Sequence, residues 1–485
     1  MIESGIRRIG LEQEMFFVNR GWRPAPVALE VLEEAEGPFT PELALFNFEA
    51  NIEPRTLDGH CFSDLEKRID EVVSEARRAA KKVDSEVILT GILPTLTKSD
   101  MSLDNITPKA RYHALNDALS EMRGGEPQQL RIEGSDELLI QHDSVMLEAC
   151  NTSCQVHLQV EADEFVKMYN ACQLVTGPVL AASVNSPLLF GKLLWAETRI
   201  ALFQQSVDTR SGSVHMRELA PRVRFGDHWL QHSVTELFQE DMARFRVLLT
   251  REVDEDPIQV LRDGGVPALQ ALQLNNGTVY RWNRPCYGVG GGKPHLRIEC
   301  RYIPSGPTVL DEVANSAFWI GSVLGVSDKY GDVAGQIDFE EAKANFLTAS
   351  RSGLRAGFRW LDGQIHSAKD LIQNELLPLA KVGLTKAGVD AAEIDEYLSV
   401  VRDRVETGNT GARWMRRSLT AMKHQGTRAE RLVAVTSATV ANQQGRVPGH
   451  LWEPAALSDA GGWRLNYMRV EQFMTTSLFT VHEDE

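Results

Sequence analysis

Four stretches of the chain alternate between apolar and charged or polar positions, the pattern of a β-strand, whose successive side chains point to opposite faces. In residues 10–16, Glu12 and Glu14 fall on one side, opposite Leu11, Gln13 and Met15. In residues 46–54 one side is wholly polar (Asn47, Glu49, Asn51, Glu53) and the other apolar (Phe46, Phe48, Ala50, Ile52). Residues 154–160 bring Gln155, His157 and Gln159 together, and residues 295–302 do the same for His295, Arg297, Glu299 and Arg301. Further strands are predicted near 86–91 and 138–141. Helical spacing of apolar residues predicts helices over 62–83, with Ser63 as N-cap, and over 108–123, 162–174 and 193–207. From residue 367 onward the pattern is helical alone, over 368–380, 391–406 and 428–443. The expected fold class is therefore α+β, an antiparallel sheet with flanking helices and a helical C-terminal appendage. Expected boundaries are a core over 1–365, its helical extension over 366–446 and a Pro/Gly-rich linker over 447–466.

Composition narrows the function. The 485 residues carry 67 Asp and Glu against 51 Lys and Arg, a formal charge of −16. That balance disfavours a nucleic-acid partner, and no apolar run approaches the ~18 residues needed to span a bilayer. The hydrophobic content of 43% is that of a globular protein. The N-terminus lacks the order of a secretory signal, which predicts a cytoplasmic protein with its six cysteines reduced and buried. They show no Cys-x-x-Cys spacing, so a thiolate zinc site is not expected. His228, His232 and Glu236 are spaced to share a helical face as metal ligands do, but a solvated face is the preferred reading, since the zinc-protease pattern needs its glutamate beside the first histidine.

Any single alternating strand is explained by a sheet with one solvated face. The contents of these four point elsewhere. If they lie side by side, Glu12, Glu14, Glu49, Glu53 and Glu299 converge, and crowded, desolvated carboxylates are costly without a compensating cation. Oxygen ligands with one imidazole, His157, suit Mg²⁺ or Mn²⁺ better than zinc. Arg297 and Arg301 beside them fit phosphate contacts, so the combination suggests phosphoryl transfer from a nucleotide. Tyr287–Pro294 is Gly-rich but is no Walker loop, since no Ser or Thr follows Lys293 and a strand comes next. It reads either as a plain connection or as a loop closing over phosphate with the help of Lys293. Arg199 and Arg210 are candidates for a substrate carboxylate, with surface ion pairing as the alternative.

At these same residues the sequence resembles glutamate–cysteine ligase family 2, carboxylate–amine ligases related in fold to glutamine synthetase. The matching stretches are GLEQE (10–14), NFEANIEP (47–54), GILPTL (91–96), Arg111-Tyr112, QVHLQV (155–160), SPLLFG with ETR (186–199), PHLRIECR (294–301), GPTVLDEVANSAF (306–318) and TGARW (410–414). The resemblance implies a curved antiparallel sheet presenting Glu12, Glu14, Glu49, Glu53, His157 and Glu299 to Mg²⁺ ions that hold ATP. By it, Arg301 is the phosphate arginine; Lys293 and Arg297 are further candidates at the nucleotide, and Arg111, Arg199 and Arg210 candidates at the substrate. Glu53, Arg297 and Arg301 are then the candidate catalytic residues. The implied reaction is ATP-driven amide formation on the side-chain carboxylate of glutamate through an acyl phosphate, with cysteine or another amine as acceptor. The chain departs from the family pattern where Tyr302 follows Arg301 in place of an aspartate. Residues 467–485 look like the opening helix and strand of a cystathionine-β-synthase-type domain. Two other functions use the same side chains: a metal-dependent amide hydrolase, and a catalytically dead nucleotide sensor. Neither the acceptor amine nor the state of self-association is legible in the residues.

Overall fold

The computed structural model describes residues 2–208, 221–249 and 252–461. At its centre lies one curved, seven-stranded antiparallel sheet. Its strands are β1 (Arg8–Asn19), β2 (Phe39–Pro41), β3 (Asn47–Thr56), β4 (Ser85–Ile88), β5 (Cys154–Val160), β6 (Asn283–Gly290) and β7 (Lys293–Cys300). The order is β6-β7-β5-β1-β3-β2, with β4 pairing the far end of β1, so the four alternating stretches are neighbours. Glu14 stands opposite Glu49, Glu12 opposite both Asn51 and Gln155, and His157 between Gly10 and Glu299. The register therefore brings the polar halves of all four strands to one face. The other face buries Leu11, Met15, Phe48, Ala50, Val156, Leu158 and Ile298. Each of these side chains larger than alanine contributes about 1.5–3 kcal/mol of burial.

Helices cover that apolar face: α1 (Cys61–Lys82), α2 (Phe165–Ser183) and α4 (Val309–Tyr330), while α3 (Thr198–Ser206) packs against Gln128–Glu133 and Val145–Cys150. Helix α4 starts at Thr308, whose side chain accepts from the backbone of Asp311, and every residue from Val309 to Ser327 is buried. The C-terminal helices α5 (Leu377–Ala387), α6 (Ala391–Thr407), α7 (Gly411–Ala421) and α8 (Arg428–Asn442) follow. Residues of α4, α5 and α6 share one hydrophobic core with the sheet. Helices α4 and α5 cross at glycines: a Cβ on Gly325 would lie 2.1 Å from the carbonyl oxygen of Leu379, and one on Gly383 2.6 Å from that of Gly321.

Several expectations are revised. The 368–380 helix is broken by a π turn over Ile372–Leu376, where Pro378 removes a backbone donor from the helical ladder. Helix α3 starts at Thr198 rather than 193, because buried Glu197 is drawn into hydrogen bonds from Asn185 and Ser186. His228 and His232 precede the helix Val234–Arg244, whose N-cap is Ser233, and Glu236 closes its capping box, so they form no ligand face. The expected linker is docked over 447–461: Gly449 donates to Asp311, the His450 carbonyl accepts from Asn409, and Trp452 is buried against Trp414. Residues 467–485 lie outside the described residues. All six cysteines are buried and unpaired.

A buried charge ties the extension to the core. Arg404 on α6 donates to Asp311 Oδ1 at 2.8 Å and to Asn315 Oδ1 at 2.5 Å on α4, and to the Ala182 carbonyl at the end of α2. Arg404→Met strands Asp311 and is expected to cost about 3–5 kcal/mol in urea unfolding. A loss below about 1 kcal/mol would show that the extension is anchored by apolar contact alone.

Candidate active site

Two cavities open on the polar face of the sheet and share Glu12 and Asn51 as a common wall. The first, about 440 Å³, is lined by Glu12, Glu14, Glu42, Glu49 and Glu148 together with Arg111, Arg199, Arg284 and Arg301. The second, about 450 Å³, is lined by Arg8, His157, Gln159, His295, Arg297 and the backbone of Gly290 and Gly291.

The strand register creates the junction between them. One donor atom each from Glu12, His157 and Glu299 lies within 4.8 Å of the others. His157 Nε2 is 3.0 Å from Glu12 Oε1, and Arg297 Nε donates to His157 Nδ1 at 3.1 Å. Glu299 is wholly buried; Arg284 Nε donates to its Oε2 at 2.8 Å and Arg301 Nη1 to its Oε1 at 2.5 Å. Burial opposes its charge, yet the two guanidiniums hold its pKa far below the ordinary carboxylate range. Burial likewise works to raise Glu12, but the hydrogen bond from His157 brings it below its usual value.

Deeper in the first cavity the balance reverses. Burial, reinforced by the charges of Glu12 and Glu14, pushes Glu49 up to about 8. Burial pushes Glu148 up to about 7 and raises Glu14, although the latter accepts from Ser153 N at 2.6 Å and Gln155 Nε2 at 2.7 Å. Glu42 is raised well above its usual value by burial and by Glu49. Carboxylates this close cannot all ionise unless a cation joins them. Glu12, Glu14, Glu49, His157 and Glu299 offer oxygen atoms and one imidazole, the donor set of a hard divalent cation, so the residues fit Mg²⁺ or Mn²⁺.

Glu53 does not join them. An extra residue in β3 shifts the register between Ile9 and Leu11 of β1, so strict alternation fails before Glu53 is reached. Its side chain is 65% exposed and pairs with Arg68 of α1 at 3.3 Å, which corrects its expected place in the cluster. Lys293 is also displaced from both cavities: 69% exposed, it faces Glu3 at 3.7 Å. Its Gly-rich segment is the two-residue turn of the β6–β7 hairpin, with Gly291 and Gly292 both at positive φ (56° and 77°), which is why glycines stand there. Arg199 lines the first cavity, but Nη1 donates to Glu197 at 3.2 Å and to the Tyr302 carbonyl and Nη2 to the Arg301 carbonyl, while Nε has no partner among the described residues. A Cβ on Gly91 would lie 2.8 Å from Arg199 Cδ, so the GILPTL stretch seats this arginine. Arg111 lines the same cavity and lies 4.9 Å above the Tyr112 ring. Arg210 lies outside the described residues. Strand alternation gave no sign of Glu42, Glu148, Tyr280 or Trp282, and it did not single out Arg284.

A family model described as glutamate–cysteine ligase family 2 matches residues 8–436. The chain belongs to glutamate–cysteine ligase family 2. It is an ATP-dependent ligase of the glutamate–cysteine ligase-like kind. No curated protein sequence matches it significantly. Among solved structures, the fold is similar to a glutamate–cysteine ligase from Francisella tularensis in complex with AMP, at 13% identity and a TM-score of 0.56, over 95% of this chain and 94% of that one. It is also similar to a bifunctional glutathione synthetase from Pasteurella multocida, at 12% identity and a TM-score of 0.53, over 91% of this chain and 53% of that one.

The raised carboxylates make a pH prediction. Glu49 and Glu148 stabilise the fold while protonated, so their contribution declines as pH rises from the unfolded-state value of about 4.5 through about 7 for Glu148 and about 8 for Glu49. Added Mn²⁺ relieves the repulsion and is expected to raise Tm more at pH 8 than at pH 6. Equal shifts in calorimetry at the two values would contradict the cluster. Glu12→Gln should weaken Mn²⁺ binding by about tenfold or more, and Glu53→Gln by less than about twofold, in a titration followed by electron paramagnetic resonance.

Proposed function

We propose that the chain joins the γ-carboxylate of glutamate to an amine, driven by ATP and dependent on Mg²⁺, through an acyl phosphate. The observation that carries this reading is a carboxylate–imidazole junction with guanidiniums on both sides, set between two cavities of comparable size, in a chain of glutamate–cysteine ligase family 2. The Francisella ligase with AMP bound supports the nucleotide half of it.

In this reading the second cavity takes the nucleotide, with Arg297 and Arg8 on its phosphates and the Gly290–Gly291 backbone at its rim. A divalent cation held by Glu12, His157 and Glu299, with Glu14 and Glu49 beside them, would neutralise carboxylates and phosphates together. Arg301, anchored by Glu299, reaches the transferring phosphoryl group from the first cavity. Arg111 and Arg199 lie on the side where glutamate binds, Arg199 through its remaining donor. The glutamate carboxylate oxygen attacks the γ-phosphorus and ADP leaves. The amine nitrogen then attacks the acyl carbon, gives up a proton and expels phosphate. Positioning and charge neutralisation supply the rate, and no nucleophilic side chain is required. The acidic wall of Glu42 and Glu148 suits an ammonium group of either substrate. Cysteine is the first acceptor to try, and the cytoplasm, which supplies ATP and both amino acids, is the proposed compartment.

The test is ADP and phosphate release from ATP and glutamate across a panel of amines. One amine that raises ADP release in a Mg²⁺-dependent way, with a matching γ-glutamyl product, is expected. Amide cleavage without nucleotide would favour a hydrolase, and ATP binding without release under every amine would favour a dead sensor. Arg301→Lys loses its bidentate geometry and is expected to lower kcat by about 10²-fold, with Lys293→Ala changing it less than about threefold. Similar effects from the two substitutions would remove Arg301 from the reaction.

A further inference from the structure

On the far side of the catalytic pocket, among the helices, lies a cavity of about 510 Å³. It is bounded by the short turn Gly353–Arg355, the residue after α2, the helix α7 and Pro454 of the docked C-terminal segment. Its charged lining consists of Arg355, Arg413, Arg416 and Arg417, with no Asp or Glu among the described residues that line it. Three of the four come from one stretch, TGARWMRR (410–417).

Other arginines of the C-terminal part are ion-paired: Arg402 with Asp403 at 2.9 Å, Arg404 with Asp311 at 2.8 Å, Arg428 with Asp136 at 3.0 Å and Arg446 with Glu66 at 2.6 Å, whereas Arg431 donates to backbone carbonyls. The four in the cavity make no ion pair with a described carboxylate. Arg416 donates to Ser135 Oγ at 3.1 Å and to the Leu194 carbonyl at 2.5 Å, and Arg417 to Asn409 Oδ1 at 3.1 Å, neutral partners that orient the guanidiniums without cancelling their charge. Burial lowers the pKa of Arg416 and the neighbouring charge of Arg355 lowers it further, with the charge of Asp136 opposing them. A chain of net charge −16 thus gathers four cations around one cavity.

Such a cavity is complementary to a multiply charged anion. Guanidinium forks match phosphate oxygens two at a time, and four of them exceed what a single monophosphate or dicarboxylate can neutralise. Leu354 and Pro454 add an apolar flank for the rest of a ligand. The cavity is walled off from the catalytic pocket by Val184 and Asn185: Ala412 N donates to the Val184 carbonyl at 3.0 Å, and Asn185 N to Glu197, the partner of Arg199.

We propose that this cavity is a second anion site, separate from the catalytic pocket, which takes the polyphosphate group of a small molecule. The site stands on its own geometry and does not depend on the reaction assigned above.

The test uses the full chain without divalent cation and titrates inorganic tripolyphosphate and, separately, ATP in a calorimeter. Saturable tripolyphosphate binding is expected. It should weaken by about tenfold or more in the double variant Arg355→Gln with Arg413→Gln, two exposed side chains without ion pairs whose loss leaves Tm unchanged. Arg301→Gln, in the catalytic pocket, should leave it within about twofold. ATP binding that follows the double variant assigns a nucleotide to the site, and tripolyphosphate binding alone assigns a free polyphosphate; both support it. No binding at millimolar concentration, equal binding by the double variant, or loss in Arg301→Gln instead would overturn it.

Discussion

Repulsion between carboxylates is the constraint around which the active site is built. Glu12, Glu14 and Glu49 are set against one another by the pairing of β1 with β3, with Glu42 and Glu148 close behind. Such a group stays charged only if positive charge is supplied. Toward Glu299 the protein supplies it from Arg284 and Arg301, and that carboxyl is held ionised. Toward Glu49 and Glu148 it does not, and those carboxyls are raised to about 8 and about 7. The distribution is unequal: Glu299 is compensated by the protein's own guanidiniums, while Glu49 and Glu148 are left without such a partner.

The remainder of the fold keeps that arrangement rigid. Buried helices α2 and α4 back the sheet, and α5 approaches α4 through glycines at which any side chain would strike backbone. Arg404 and Asp311 join the C-terminal helices to the same α4. Asp311 also receives Gly449 from the docked C-terminal segment, so three parts of the chain meet at one carboxylate. Interiors packed this closely transmit displacement rather than absorb it. The helical extension is accordingly part of the scaffold on which the strands keep their register.

What the sequence disclosed follows the same physics. Period-two alternation marked Glu12, Glu14, Glu49, His157, Arg297 and Glu299, because a strand with one buried face must alternate, and these positions do share one face. It misplaced Glu53, since one inserted residue in β3 breaks the alternation and no local pattern announces it. It missed α4 altogether and ended α2 too early, because a helix buried on all sides has no polar stripe to reveal its period. Glu42 and Glu148 arrive from non-strand segments, where no periodicity constrains direction. Lys293 and the glycines beside it looked like phosphate chemistry but meet the needs of a tight hairpin turn.

The central claim is that a divalent cation completes the junction of Glu12, His157 and Glu299. A crystal grown with Mn²⁺ and a non-hydrolysable ATP analogue, measured for anomalous scattering, tests this directly. A peak is expected about 2.0–2.3 Å from an oxygen of Glu12 and from the imidazole of His157, with Glu53 still turned toward Arg68. Manganese found only on the outer surface, or an analogue bound with no metal between the two cavities, would contradict it.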